Sequence, residues 1–198
     1  LEKIKALGCK NILALRGDAP GGGEFKPTPG GFEFSSQLVK FIREQGDVSV
    51  GVAGFPEGHV ACRAGKHTDW RHLQEKVQAG ADFVITQLFF DNTDFFEFGD
   101  HVTSKLGVNV QRVPGIIAIV SAAAITKFTQ LCGAKIPAAL RSRLDALGAD
   151  DAAAQQFGIE YATQQCQELL RAGVPGLHFY TLNKAHSTVQ VVTNLDLA

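Results

Sequence analysis

Arg16, Gly17 and Asp18 set a base and an acid on either side of a glycine, directly after the apolar run Asn11-Ile12-Leu13-Ala14-Leu15. At the carboxyl end of a buried strand such a pair can orient a polar ligand, and the glycine lets backbone approach it closely. On a surface turn the same residues would be an ordinary ion pair. Glu57 and His59 follow in Gly54-Phe55-Pro56-Glu57-Gly58-His59. An aromatic beside a proline-fixed bend offers a flat wall to a planar ligand, with carboxylate and imidazole free for its polar edge. Asp69, His72 and Lys76 stand three and four apart and share one helix face. They read either as a solvated ion-pair face or as groups reaching the phosphates and ribose of a nucleotide. Gln87 closes the run Phe83-Val84-Ile85-Thr86 with an amide that can donate and accept together, which suits a heterocycle carrying both kinds of group. Phe89 and Phe90, just beyond it, read as packing. For at least one of His178 and Tyr180, a satisfied polar group in or behind the core is the better reading. His67, Asp69 and His72 complete no known ligand spacing, so no metal is expected.

Strands must carry these residues to one edge. Apolar runs at Asn11–Leu15, Val48–Ala53, Phe83–Gln87, Gln111–Ile116 and Leu177–Thr181 have the length of buried parallel strands. Helix-length stretches alternate with them at Ser35–Gln45, Asp69–Ala79, Thr93–Leu106, Ser121–Leu131, Ala153–Ala172 and Lys184–Thr193. Ser35, Thr68 and Ser121 are candidate N-caps, and Gly46, Gly80, Gly107 and Gly173 stand where helices should stop. Pro137–Leu147 and the acidic turn at Asp150-Asp151 read as an insertion on the ligand side. Periodicity alone does not choose between a doubly wound sheet and a barrel. No Gly-x-Gly-x-x-Gly follows the first strand, and polar residues cap one strand end after another, which favours a barrel.

The chain has 198 residues, 45% of them hydrophobic and 20% charged, with a net charge of −1, enough for one well-buried core. Without a basic stripe it offers no nucleic-acid footprint, and no apolar run is long enough for a membrane span. No signal-peptide pattern is present. Cys9, Cys62, Cys132 and Cys166 fit neither a zinc knuckle nor a dense disulfide framework and read as thiols in a reducing compartment.

Five blocks, in this order, resemble the methylenetetrahydrofolate reductase family: Leu15-Arg16-Gly17-Asp18-Ala19-Pro20, Phe55-Pro56-Glu57-Gly58-His59, Gly80 to Asp91, Val113-Pro114-Gly115-Ile116, and His178-Phe179-Tyr180-Thr181-Leu182-Asn183. The resemblance runs through nearly all of the chain. It implies an α/β fold, a (β/α)8 TIM barrel of which about the last five β/α units are present, in one domain over 1–198. It implies FAD at the strand ends. NADH or NADPH gives a hydride to the flavin and leaves, and methylenetetrahydrofolate takes its place and is reduced to 5-methyltetrahydrofolate. Carried over by motif position, Arg16, Gly17, Asp18, Ser35, Phe55, His59, Asp69, His72 and Lys76 would hold the cofactor. Asp18 and Gln87 would be catalytic, and the substrate would meet Asp18, Gln87, Phe128 and Lys184. A cytoplasmic homo-oligomer serving one-carbon metabolism and methionine biosynthesis is implied with it.

The chain departs from the family pattern at Lys184, where an arginine is usual, at Ala118, where proline is common, and at Ala122–Ala124, where some members place a glutamine. The family's first three strands, and the glutamate on the first that acts as general acid, have no counterpart here, so the chain is expected to be a fragment with little turnover of its own. A degenerate, non-catalytic module binding folate or a partner is the alternative. A flavin barrel oxidising an amino acid would need paired arginines, and none is suitably placed.

Overall fold

Five parallel strands lie side by side in the order of the chain, β1 (Asn11–Ala14), β2 (Ser49–Gly54), β3 (Phe83–Leu88), β4 (Gln111–Ile116) and β5 (His178–Phe179). A doubly wound sheet reverses its strand order at a switch point. A sheet that never reverses is one stretch of a barrel wall, so the strand order decides what periodicity left open. The computed structural model describes residues 1–19 and 25–196; Pro20 of the first block and the glycines at 21–23 fall outside the described residues.

Helices α2 (Ser35–Glu44), α3 (Lys66–Gln78) and α4 (Asn92–Ser104) cross over between the first four strands. A short α1 (Glu2–Ala6) precedes β1. Between β4 and β5 stand α5 (Ala122–Cys132), α6 (Ala138–Leu147) and α7 (Asp151–Arg171), and α8 (Ala185–Asn194) follows β5. Gly46, Gly80, Gly107 and Gly173 all have positive φ just past helix ends, as expected.

Several boundaries differ from the sequence reading. Thr68 lies inside α3, which Gly65 caps, and the Thr68 hydroxyl donates back to the Ala64 carbonyl. Ser35 is the first helical residue rather than the cap; Phe34 holds that position, and the Gln37 side chain accepts from the Glu33 and Phe34 amides. Asp150 caps α7 by accepting from Ala153, so the acidic pair opens the helix instead of forming a separate turn. Ser121 caps α5 as expected. The last strand shrinks to two residues because Leu182 and Asn183 turn the chain through positive φ.

Three apolar clusters hold the layers together. In the first, Val50, Val52 and Val84 on the strands meet Val39 and Ile42 of α2, Trp70 and Leu73 of α3, and Phe98 and Val102 of α4. The helical members recur at spacings of three and four, as an inward face requires. Trp70 is wholly buried, and its indole N–H donates to the Phe55 carbonyl at 2.9 Å. Truncating it to alanine would cost about 3–5 kcal/mol. The second and third clusters seat α7 and α5–α6 against the far end of the sheet, with Phe89 and Phe90 buried in them as expected. Gly158 lets α7 press directly on the Ile119 backbone, where a side chain would collide with the Ile119 carbonyl.

Candidate active site

The carboxyl ends of β1, β2 and β3 converge on one side of the sheet. At the end of β1 the chain leaves through Gly17 at φ +80°, a conformation that favours glycine. Arg16 lays its guanidinium over the Phe25 ring, 4.5 Å from the centroid. A cleft of about 170 Å³ opens between Leu15, Arg16, Phe32, Phe34, Ser35 and Leu38. Arg16 and Ser35, both expected around a cofactor, therefore share one wall.

His59 is the point where the first two strand ends and α3 meet. Burial lowers its pKa; Asp69 and Asp18 pull the other way, while the nearby charges of Arg16 and Lys76 add to the lowering. The neutral ring takes the Ala61 N–H on Nδ1 at 3.1 Å, which leaves its proton on Nε2 and that N–H free to donate. The Phe55 ring meets it edge-on at 4.6 Å between centroids.

Asp69 and Lys76 stand behind His59 on α3. Asp69 is 9% exposed. Burial raises its carboxyl pKa, opposed by Lys76, by the charge and backbone amide of His59, and by His72. Burial pushes the Lys76 ammonium down to about 8, with Asp69 and Glu75 resisting. The Lys76 ammonium donates to the Ala53 carbonyl at 2.6 Å and lies 5.8 Å from the Phe55 ring centroid. Of the two readings of this face, the solvated ion pair fails for Asp69, which is buried; Lys76 is half-buried and His72 exposed.

Gln87 owes its place to an irregularity in β3. Between the pairs Ile85 with Val113 and Leu88 with Gly115, β3 advances three residues while β4 advances two. Such a bulge re-aims the side chains beside it. The Thr86 hydroxyl takes the Gly115 amide at 2.9 Å, and a side chain at Gly115 would run into the Thr86 carbonyl. Gln87 then shares a narrow pocket with Phe55, Pro56, Glu57, Gly58, Cys132 and Gly133. Its amide oxygen accepts the Leu88 N–H at 2.9 Å. With that bond made, both amino hydrogens and the second lone pair of the oxygen remain, so the side chain can still donate and accept.

Glu57 does not join His59 at a common edge. Its side chain is 6% exposed and turns the other way, accepting the Lys135 backbone N–H at 3.1 and 3.2 Å with the Lys135 ammonium at 3.7 Å. Burial raises its pKa and Lys135 opposes the rise. Lys135 was invisible from the sequence, lying 78 residues away on the α5–α6 loop. Gly133 on that loop sits against Val60 so closely that a side chain there would overlap it.

Other expected residues lie at the periphery. Phe128 packs partly against the third cluster, and Lys184 is exposed at the start of α8. Ala118 is buried in the second cluster, whereas Ala123 and Ala124 are exposed on the first turn of α5. Tyr180 is a satisfied structural group, donating to the Thr86 carbonyl at 2.9 Å. The ends of β3 are pinned from α7, where Tyr161 donates to the Phe90 carbonyl and Gln165 to the Phe89 carbonyl. All four cysteines are free thiols. Among the described residues no helix is long and apolar enough to cross a membrane.

A family model described as methylenetetrahydrofolate reductase matches residues 1–196. "Methylenetetrahydrofolate reductase (NADH) 1" of Arabidopsis thaliana is 38% identical over all of this chain, which covers 35% of that protein. "Methylenetetrahydrofolate reductase 2" of Saccharomyces cerevisiae is 37% identical over the whole chain, which covers 34% of it. The chain thus spans about a third of the length of these relatives. A solved structure titled as an uncharacterized protein from Clostridium thermocellum that binds two copies of 5-methyl-5,6,7,8-tetrahydrofolic acid shares the fold. Its TM-score is 0.53 at 16% identity, over 82% of this chain and 58% of that one.

Proposed function

This chain belongs to the methylenetetrahydrofolate reductase family, and from that premise we propose that its strand ends face the flavin and the folate in an FAD-dependent reduction of 5,10-methylenetetrahydrofolate to 5-methyltetrahydrofolate, with NADH or NADPH as electron donor. The observation that carries the reading is the meeting of Phe55, His59 and Lys76 at the end of β2, with His59 edge-on to the Phe55 ring at 4.6 Å and the Lys76 ammonium 5.8 Å from the same ring.

The chemistry of this donor set fits a flavin dinucleotide. Lys76 spends one N–H on Ala53 and keeps two, and His59 keeps its Nε2–H. Both are donors in a part-buried setting, where charge-assisted bonds to a diphosphate are strong. Asp69, an acceptor when ionised, suits ribose hydroxyls, with His72 at the exposed rim of the same face. Phe55 supplies a flat apolar wall, and Arg16, Gly17 and Ser35 border the cleft at the end of β1. The flavin, when bound, supplies hydride transfer between the nicotinamide and the folate.

On the substrate side, Asp18 accepts hydrogen bonds from the pterin, and its negative charge favours the cationic form of the folate that takes up hydride. Gln87 offers its amino group to whichever substrate lies beside it. Phe128 gives the folate an apolar contact. Lys184 offers a single cation to the carboxylate tail, without the two-pronged grip of an arginine.

The visible spectrum of the protein after incubation with FAD and removal of the excess tests this placement. Flavin retained near one per chain, with affinity at least about tenfold lower in Lys76→Met at unchanged far-ultraviolet dichroism, supports it. A folded protein that retains none, or as much with Lys76→Met, rejects it. Oxidation of NADH or NADPH by the loaded protein then separates a reductase from a module that only binds.

A further inference from the structure

We propose that Cys62, Asp69 and His72 form a binding site for a borderline-soft divalent cation of the zinc or cobalt class. The Cys62 sulfur, an Asp69 carboxylate oxygen and a His72 ring nitrogen all lie within 4.8 Å of one another. Zinc bonds to nitrogen, oxygen and sulfur are about 2.0–2.3 Å long, and donor atoms this close together can share one ion.

Two features of the backbone build the trio. Asp69 and His72 stand three apart on α3 and therefore share a face. Cys62 is brought over that face by successive tight turns, in which the Cys62 amide donates to the His59 carbonyl at 2.8 Å and the Gly65 amide to the Cys62 carbonyl at 3.1 Å. The loop lies close over the start of α3 at Gly58, where a side chain would overlap the Lys66 backbone. The sequence argued against a metal because it paired Asp69 and His72 with His67. In the fold His67 turns away and stacks on His101 at 4.7 Å, and the third ligand is the cysteine.

The donor set selects the cation. One thiolate, one imidazole and one carboxylate suit zinc or cobalt over magnesium or calcium, which prefer oxygen alone. Three protein ligands leave a fourth position for water. Binding forms one bond to each donor atom and releases the Cys62 thiol proton to solvent, with no change of oxidation state. Thiolate and carboxylate together balance the charge of the ion.

Cobalt(II) is the probe, because a thiolate ligand gives it an intense charge-transfer absorption. The titration uses flavin-free protein, so that its outcome is independent of the flavin reading, in which Asp69 and His72 also take part. One cobalt per chain with that absorption is expected. It is lost in Cys62→Ser and binds at least about tenfold more weakly in His72→Ala, whereas Cys9→Ser and His67→Ala leave it unchanged. His72 is exposed and Cys62 half-buried, and unaltered circular dichroism establishes that the variants fold. Absence of the band in the folded wild type, its survival in Cys62→Ser, or its loss in Cys9→Ser overturns the assignment.

Discussion

The Tyr180 hydroxyl donates to the Thr86 carbonyl at 2.9 Å, joining the residue after β5 to the bulged point of β3. β4 lies between the two strands, and Tyr180 reaches across it only because Gly115 has no side chain: one there would meet both the tyrosine ring and the Thr86 carbonyl. The bond therefore does two things. It satisfies a carbonyl on a residue that is 0% exposed, and it fixes the bulge that aims Gln87.

Removing the hydroxyl with Tyr180→Phe takes away that bond and is expected to lower the unfolding free energy by about 1–2 kcal/mol. Gly115→Ala inserts a methyl group against backbone that cannot swing aside, and its loss is expected to be the larger. Urea denaturation of both variants checks the order, and a Gly115→Ala protein as stable as the wild type would contradict the close crossing.

Glu57 and Lys135 link two loops in the same manner. Glu57→Ala strips the Lys135 amide of its acceptor, so hydrogen exchange is expected to quicken at Lys135 and along the Phe55–Val60 loop, with a loss of about 1–3 kcal/mol. Glu57→Gln keeps an acceptor oxygen and should lose less. Because burial raises the Glu57 pKa above 4.5, the folded state holds this proton more tightly than the unfolded one. Wild-type stability should accordingly fall relative to Glu57→Gln as pH rises from about 4.5 through the folded value. Exchange rates unchanged in Glu57→Ala would show that the loops are held by other contacts.

Local pattern accounts for much of what the sequence made legible. The runs at Asn11–Ala14 and Phe83–Leu88 show as strands because they are apolar and bounded, and Asp69, His72 and Lys76 show as one face of α3 because they recur at helical spacing. What stayed hidden depends on contacts distant in sequence. Nothing near Glu57 announces Lys135, nothing in Thr86-Gln87 announces a bulge against Gly115, and Cys62 reaches His72 only through turns whose residues are unremarkable one at a time. The strand order settled barrel against doubly wound sheet for the same reason: it is a property of pairing, which periodicity does not record.

Gln87 offers a sharper test of the pocket than its removal would. Its amide oxygen already accepts the Leu88 N–H, so the group left wholly free for a ligand is the amino donor. Gln87→Glu preserves shape and the Leu88 bond while replacing that donor with an acceptor. Loss of one hydrogen bond and gain of a repulsion should weaken 5-methyltetrahydrofolate binding at least about tenfold, while flavin retention stays unchanged. Equal binding by wild type and Gln87→Glu in equilibrium titrations would remove Gln87 from the substrate contacts.

Lys76 makes stability and cofactor affinity respond to pH with opposite signs. Its folded pKa is about 8 against an ordinary 10.5. Below pH 8 the folded and unfolded chains both carry the proton, and the cost of burying the charge is present in full. Between pH 8 and 10.5 the unfolded chain keeps the proton while the folded chain gives it up. Stability should therefore rise with pH across that window relative to Lys76→Met, by an amount on the order of 3 kcal/mol at its upper end. The free ammonium is also the charge proposed to hold a diphosphate, and it disappears over the same range. FAD affinity of the wild type should then decline from about pH 8 upward, while that of Lys76→Met is weak and flat. Parallel denaturation and flavin titrations between pH 7 and 9.5 measure both slopes. A wild-type affinity that does not fall, or that falls equally in Lys76→Met, would separate Lys76 from the cofactor even if the stability slope is found.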